Sequence, residues 1–154
     1  MMDLDALTDA LASFDLEPEP VGDGRVMVAV SGQWRRSMPV LFDVEDRHLR
    51  FRALLVGALD EGHRDAYRYA LQRNERAHDV RFALDGDGNV LLVGRIPLEV
   101  VDDAVLDELL GELVMTADET FNQLLGTGFA GYVEHERAWR ESMGMSPNPA
   151  FPGD

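Results

Sequence analysis

The chain of 154 residues contains no cysteine and no lysine, and it has no long apolar run. The absence of cysteine excludes disulfides, iron–sulfur clusters and thiol catalysis. The longest nearly uninterrupted apolar stretch covers only residues 53–59, whereas a membrane-spanning helix needs about 20 residues. The amino terminus is acidic, where a signal peptide would be basic. We therefore expect a cytoplasmic protein with no membrane partner.

Positive charge is also scarce. The sequence has 29 acidic residues against 14 basic ones, which gives a formal net charge of −15. A surface with this charge repels phosphate backbones and anionic lipids at long range, so we expect no nucleic-acid partner. All the basic residues are arginine, which codon bias in a GC-rich genome explains most simply. Selection for bidentate contacts to carboxylates is the alternative.

Hydrophobic periodicity predicts the order of the secondary structure elements. Apolar residues three and four positions apart predict helices, and alternating apolar residues predict strands. Asp3 is available to cap the first helix, Asp102 and Asp103 lie at the start of the third, and Gly126 and Gly128 are expected to end it. The predicted helices span residues 4–14, 63–77, 106–124 and 129–143, and the predicted strands span 25–30, 40–44, 49–53, 80–84 and 90–96.

These elements predict an α+β fold with an antiparallel sheet of about five strands. Their order is α-β-β-β-α-β-β-α, with helices packed on the sheet and a further helix at the carboxyl terminus. A turn at Glu45 and Asp46 would place Val40 opposite Phe51 and Phe42 opposite Leu49. We expect one domain over residues 1–144 and a mobile, proline-rich tail over residues 145–154.

Two short motifs resemble ligand sites, but their contexts favour structural interpretations. Residues 126–131 match the dinucleotide pattern GxGxxG, yet they follow a long helix where that site requires a strand. Residues 85–89 resemble the opening of a calcium loop, but the required glycine and glutamate are missing downstream, so a hairpin turn is favoured. The four histidines are scattered and form no metal-ligand pair. We therefore expect no enzymatic activity, no metal and no cofactor.

The second face of the predicted sheet carries an unusual mixture of side chains. A face open to solvent should be polar, but about half of this one is apolar and arginine is the commonest of its polar residues. Its members are Met27, Ala29, Leu41, Asp43, His48, Arg50, Arg52, Arg81, Ala83, Leu91 and Val93. Either the fourth helix or the arginine stems cover it, or it binds a partner segment whose carboxylates the arginines recognise. In the second case the candidate partner-binding residues are Met27, Trp34, Met38, Leu41, Arg50 and Arg52, with Trp34 and Met38 as anchors on the rim.

The segment from Tyr69 to Leu125 resembles the YbjN-type domain of bacterial proteins, which shares its order of elements with type III secretion chaperones. The resemblance rests on residues 73–75 (Arg-Asn-Glu), the strand at 80–85, the Asp-Gly turn, the strand at 90–93, the Arg-Ile-Pro-Leu segment at 95–98 and the long helix that follows. It implies a small acidic protein without enzymatic activity. Such proteins often dimerise and hold an extended stretch of a client, or act in regulation.

These observations lead to three hypotheses. The first is a non-enzymatic, chaperone-like protein that holds a segment of a client protein or peptide, with a homodimer as a further option. Replacement of Arg50 and Arg52 by glutamate should then abolish partner capture. The alternative is an acidic, regulatory or antitoxin-like protein that neutralises a basic protein, whose binding would weaken steeply with salt. The third is an enzyme whose site is assembled from scattered histidines and carboxylates.

Overall fold

The protein is described by a computed structural model for residues 1–128, 138 and 141–144. The predicted α+β class is confirmed, with an antiparallel sheet and helices packed on it. The elements, in chain order, are α1 (Leu4–Ser13), β1 (Glu19–Pro20), β2 (Arg25–Val30), β3 (Met38–Val44), β4 (His48–Val56), α2 (His63–Glu75), β5 (Arg81–Leu84), β6 (Val90–Pro97), a short 3-10 helix (Leu98–Val100) and α3 (Asp103–Gly128).

The sheet has six strands in the order β1-β2-β3-β4-β6-β5, and each neighbouring pair is antiparallel. The prediction of about five strands missed β1, which has only two residues. Glu19 pairs with Met27 and Pro20 pairs with Val26. Proline favours the extended backbone that a strand needs, and it is tolerated at a sheet edge because it donates no hydrogen bond.

The predicted pairing of β3 with β4 is shifted by two residues. Phe42 lies opposite Phe51 and Val44 lies opposite Leu49, where the sequence predicted Phe42 opposite Leu49. The turn is formed by residues 46 and 47, since the amide of Glu45 donates to the carbonyl of His48 at 2.9 Å. A shift of two residues keeps every side chain on its predicted face, because the side-chain period of a strand is two.

The helices of the described residues pack on one face of the sheet and build a single core. α1 contacts β2, α3 contacts β4, and α2 contacts β5 and α3. Phe42 and Phe51 lie at the centre of the sheet side with their ring centroids 6.4 Å apart. The fully buried helical residues of the same core cluster are Leu7, Leu11, Leu106, Leu113 and Leu124. The opposite face of the sheet carries none of these helices.

The helix boundaries agree in part with the prediction. Asp3 caps α1 by accepting from the amide of Ala6 at 2.8 Å, and Asp102 caps α3 by accepting from the amide of Val105 at 2.9 Å. α3 is helical through Gly126, where the sequence predicted a stop, and as far as Gly128, the last residue described in this stretch. Most of the predicted helix at 129–143 and all of the predicted tail at 145–154 lie outside the described residues. In the described part of the chain, no helix combines the length and apolar character needed to cross a membrane.

Candidate partner-binding site

The sheet face opposite the helices, here called the open face, is built from cross-strand rows of residues. One row runs through all six strands: Glu19, Met27, Leu41, Arg52, Val93 and Arg81. A second row, towards the β3–β4 turn, is Arg25, Asp43, Arg50 and Arg95. On the other side of the first row lie the paired residues Ala29 and Pro39, and the set Leu54, Leu91 and Ala83. The side chains of these rows are exposed or half-buried, apart from that of Asp43.

The three rows differ in character, so the open face is amphipathic. The row through Arg50 is charged, the row through Leu41 is mixed, and the side chains around Leu54 and Leu91 are entirely apolar. Residues in one row are about 4.8 Å from their neighbours, and successive rows are about 7 Å apart along the strands. The surface therefore changes from charged to apolar over roughly 14 Å.

Asp43 is the buried anion of the charged row. Asp43 is 8% exposed. Its carboxylate contacts Nε of Arg25 at 2.6 Å and an Nη atom of Arg52 at 3.2 Å. Glu45, just beyond β3, pairs with Nε of Arg95 at 3.1 Å. The remaining polar atom of note is Nε of Arg52, which is buried and has no hydrogen-bond partner among the described residues. The carboxylates of Asp43 and Glu45 thus form ion pairs with three arginines of the open face.

Arg50 differs from its neighbours because no described residue pairs with its guanidinium. It lies directly opposite both Asp43 and Arg95, yet the Asp43 carboxylate is taken by Arg25 and Arg52. Like charges directly opposite one another in a sheet are destabilising. Arg50 therefore faces the like charge of Arg95 across the strands, and an added anion would stabilise the Arg50 guanidinium.

The open face carries an excess of positive charge on a protein of net charge −15. Its arginines, Arg25, Arg50, Arg52 and Arg95, outnumber the two carboxylates of Asp43 and Glu45. Glu19 and Arg81, of opposite charge, lie at opposite ends of the mixed row. Arg81 also bends away from the face, since it donates to the carbonyls of Ala77 and His78.

Four of the six residues predicted from the sequence meet on the open face. Met27, Leu41 and Arg52 are consecutive members of the mixed row, and Arg50 is the neighbour of Arg52 in the charged row. Met38 does not join them, because it is 1% exposed and its side chain belongs to the core. Its position at the start of β3 puts it in phase with Val40 and Phe42, so its prediction as a surface anchor is wrong.

Trp34 lies in the loop between β2 and β3, which is fixed to α3 on the helical side of the sheet. The Asp118 carboxylate accepts backbone hydrogen bonds from Gln33 at 2.7 Å, Trp34 at 2.9 Å and Arg35 at 2.9 Å. Gly32 packs so closely on Asp118 that a Cβ atom would collide with the carboxylate. The structure therefore does not bring the backbone of Trp34 to the open face.

Two ionisable groups in this loop contact have altered pKa values. Partial desolvation acts to raise the pKa of Asp118, but the backbone hydrogen bonds from Arg35, Gln33 and Trp34 outweigh it and leave the pKa below the ordinary value. Burial lowers the pKa of the Arg35 guanidinium. That guanidinium donates to the carbonyls of Leu55 and Leu54 at 2.9 and 2.8 Å, so it fastens the loop to β4.

The edge of the sheet at β5 is covered by side chains. The amide group of Asn74 accepts from the backbone N–H of Phe82 at 2.7 Å and donates to its carbonyl at 3.1 Å. A carboxylate oxygen of Glu112 accepts from the amides of Asp79 and Val80 at 3.1 Å. These contacts occupy backbone groups that would otherwise pair with another strand. The sequence reasoning noted Asn74 within the Arg-Asn-Glu segment but gave it no role.

A separate apolar groove of about 320 Å³ lies between α2 and β5. It is lined by Ala66, Tyr67, Ala70, Leu71, Phe82, Ala83, Leu84, Val90 and Leu124. Leu71 and Leu84 are 68% and 48% exposed. The sequence pattern gave no indication of this groove.

The motifs that resembled ligand sites have structural roles where the structure describes them. The predicted hairpin turn at residues 85–89 is confirmed, because the Asp85 carboxylate accepts from the amides of Asp87 and Asn89 at 2.9 Å. The hydrogen bond from the Asn89 side chain is the main cause that lowers the pKa of Asp85. Residues 126–128 of the glycine pattern continue α3. Within the described residues, no group of three His, Cys, Asp or Glu side chains could hold a metal ion.

Known proteins resemble this chain in both sequence and fold. Residues 3–126 match the YbjN family, described as "Putative bacterial sensory transduction regulator". Uncharacterized protein Rv0487 of Mycobacterium tuberculosis is 32% identical over 142 residues, which cover 92% of this chain and 78% of that protein. Uncharacterized protein ML2442 of Mycobacterium leprae is 33% identical over 129 residues, which cover 84% of this chain and 70% of that protein.

Two solved complexes contain chains of the same fold. A chain of the crystal structure of the ExsC–ExsE complex superimposes with a TM-score of 0.59 at 22% identity, over 80% of this chain and 97% of that one. A chain of the heterodimeric complex ExoU–SpcU, from the type III secretion system of Pseudomonas aeruginosa, gives a TM-score of 0.55 at 18% identity, over 79% and 96%. The predicted resemblance to the YbjN and secretion-chaperone fold is thus confirmed, and the chain belongs to the YbjN family.

Proposed function

We propose that this chain is a non-enzymatic, chaperone-like protein of the cytoplasm that holds a segment of a partner protein on the open face of its sheet. The observation that carries the proposal is the asymmetry of the sheet. Most of its helical face is buried in the core, whereas its other face presents Met27, Leu41 and Val93 beside arginines. Half-buried apolar side chains next to cations offer both contact area and directed hydrogen bonds to a polypeptide.

The fold neighbours support a partner-binding role. Both solved structures are complexes of two proteins, and the ExoU–SpcU complex is heterodimeric. The likeness in sequence is too low to transfer the partners, so the proposal for this chain rests on its own surface. The open face supplies that surface without any rearrangement of the described helices.

The position of the contact can be tested by site-specific photocrosslinking in the native cytoplasm. A photoreactive amino acid at position 41 or 93 would report on the open face, and one at exposed position 108 on α3 would serve as the control. We expect one dominant protein crosslinked from positions 41 and 93 but not from 108. Crosslinks only from position 108, or none from the open face in the presence of a captured protein, would contradict the proposal.

The structure favours replacing Arg50 alone over replacing both Arg50 and Arg52 by glutamate. Arg52 pairs with buried Asp43, so a glutamate at position 52 would place two carboxylates together and damage the fold. Arg50 has no such partner among the described residues, and a glutamate at position 50 would lie opposite Arg95 as well as Asp43, so Arg50→Glu disturbs the fold less than Arg52→Glu. Arg68, exposed on α2, provides a matched control because Arg68→Glu makes the same change in charge elsewhere.

The alternative, an acidic protein that neutralises a basic partner, has less support. Three carboxylates of α3 are already used within the fold, since Glu112 and Asp118 accept backbone hydrogen bonds and Glu119 pairs with Arg73 at 2.6 Å. A salt titration separates the two functions. Binding through exposed acidic charge would fall steeply between low and moderate salt, whereas binding that also buries Leu41 and Val93 would fall less.

A further inference from the structure

We propose that the segment held on the open face is an amphipathic α-helix with carboxylates along one flank, which pair with Arg50. This inference rests on the proposed function, and it specifies the conformation and charge of the partner. It differs from the extended client stretch that the family resemblance implied. Three features of the described residues support it: the closed sheet edges, the pattern of the rows and the unpaired cation.

The sheet edges give an extended segment little to pair with. At β5 the outward backbone groups of Phe82 are both bonded by Asn74, and the amide of Val80 is bonded by Glu112. At the other edge, β1 has two residues, one of which is proline. Outward-facing residues alternate along a strand. Because of this alternation, the backbone groups still open to pairing are those of Leu84 at the β5 edge and those of Ala29, on the part of β2 that β1 does not cover.

The open face itself cannot bond the backbone of an extended segment. Its N–H and C=O groups already pair within the ladder between neighbouring strands. Backbone groups that are buried without a partner cost free energy, so a segment lying on this face gains by bonding its own backbone. An α-helix does so within itself, because each N–H donates to a carbonyl four residues earlier.

The rows match the side chains of such a helix. Met27, Leu41 and Val93 lie on either side of Arg52 in the mixed row, beside the apolar residues Leu54 and Leu91. An amphipathic helix carries one apolar stripe along its axis. Six strands span about 24 Å, which corresponds to a helix of about 16 residues. A helix is about 10 Å wide, so it covers the apolar and mixed rows while one flank lies over the charged row.

The charged row determines which charge the flank of the bound helix should carry. Arg50 has no partner among the described residues and lies opposite Arg95, so a carboxylate between them removes a repulsion and adds a charge-assisted hydrogen bond. The excess of arginine on this face attracts an acidic segment, although the whole protein has a net charge of −15. A basic helix would meet like charge at the only cationic row of the described sheet.

The experiment is selection from a displayed library of random 16-residue peptides at moderate salt, on the wild-type chain and on Arg50→Glu. We expect wild-type binders to have apolar residues three and four positions apart and Asp or Glu on one flank. Nuclear magnetic resonance should show that they become helical on binding and shift the signals of Leu41 and Val93. Arg50→Glu should weaken these binders about tenfold, and replacement of their flanking glutamates by arginine should restore binding. Arg68→Glu should bind like the wild type. If Arg50→Glu does not fold, Arg50→Gln takes its place as the test variant.

The outcomes separate the helix from the proposed function. Peptides that bind the open face but have alternating apolar residues, or that lack acidic enrichment, would overturn the acidic helix and leave the function standing. If the selected peptides bind only the groove between α2 and β5, or if no peptide binds the open face, both the acidic helix and the proposed function are overturned. Burial of the open face by a second copy of the chain, seen as an Arg50-dependent dimer, would also overturn the helix.

Discussion

The carboxylate of Asp43 pairs with Arg52, its diagonal neighbour on β4, and not with Arg50, which lies directly opposite. Arg25 occupies the other oxygen of the same carboxylate at 2.6 Å. This arrangement neutralises Arg52 at the half-buried centre of the sheet and leaves Arg50 without a partner among the described residues. The uncompensated charge of Arg50 on the open face is therefore a consequence of how Arg25 and Arg52 share one buried aspartate.

The bridge formed by Asp43 should stabilise the fold. Asp43→Asn removes the charge that compensates Arg25 and half-buried Arg52, so we expect the free energy of unfolding to fall by about 1–3 kcal/mol. Glu45→Gln breaks the more exposed pair with Arg95 and should cost less than about 1 kcal/mol. Urea denaturation of both variants measures the difference. Equal losses for the two would contradict the structural role assigned to Asp43.

The contact between Asn74 and Phe82 should protect the β5 edge. Asn74→Ala removes both hydrogen bonds to the backbone of Phe82, and we expect a loss of about 1–3 kcal/mol in unfolding free energy. It also exposes an unpaired strand edge, so concentration-dependent association should increase. Gln72→Ala, at an exposed site on α2, is the control and should change stability by less than about 0.5 kcal/mol. Urea denaturation and size-exclusion chromatography test these effects, and an unchanged Asn74→Ala protein would refute this role.

Two glycines should respond to alanine in opposite directions. A Cβ atom at Gly94 would collide with the ring of Phe51 and the carbonyl oxygen of Asp79, so Gly94→Ala should lower stability by about 1–3 kcal/mol or more. At Gly111, within α3, no atom of the described residues beyond the glycine's own stretch of helix lies within 4 Å of the added Cβ. Gly111→Ala should therefore raise stability by about 0.5–1 kcal/mol. Thermal and urea denaturation check both signs, and stabilisation by Gly94→Ala would show that β6 packs differently.

The contact of Asp118 with the β2–β3 loop should depend on pH. The pKa of Asp118 is lowered in the folded protein, so its contribution to stability is present above the unfolded pKa of about 3.9. That contribution is lost as the pH falls through the lower, folded pKa. Asp118→Asn should be less stable than the wild type by about 1–2 kcal/mol near neutral pH, with a difference that shrinks below about pH 4. Urea denaturation over this range measures it, and a difference that grows on acidification would contradict the assignment.

The periodicity of the sequence determines which side of the sheet each residue faces, but not its partner. The even residues from Val26 to Val30 and from Val40 to Val44 face the core as predicted. The partner of Phe42 was misassigned by two residues, because a shift of two preserves the alternation that the prediction used. β1 was missed for another reason, since two residues of a strand carry too little periodicity to be recognised beside prolines.

The candidate site could be predicted only where it followed from strand alternation. Met27, Leu41, Arg50 and Arg52 meet on one face because the strands are in phase. Met38 was misplaced because the strand begins two residues earlier than its apolar pattern suggested, which puts this residue in the core. The sharing of Asp43 and the covering of the β5 edge by Asn74 depend on tertiary contacts, which the sequence pattern does not contain.

The most direct test of the central claim is the affinity of the photocrosslinked partner for the wild-type chain, Arg50→Glu and Arg68→Glu, measured by calorimetry at one salt concentration. If the open face holds the partner, Arg50→Glu should bind at least about tenfold more weakly, while Arg68→Glu should bind like the wild type. Nuclear magnetic resonance spectra of the free variants would establish that both are folded. Equal affinities for the wild type and a folded Arg50→Glu would show that the partner binds elsewhere.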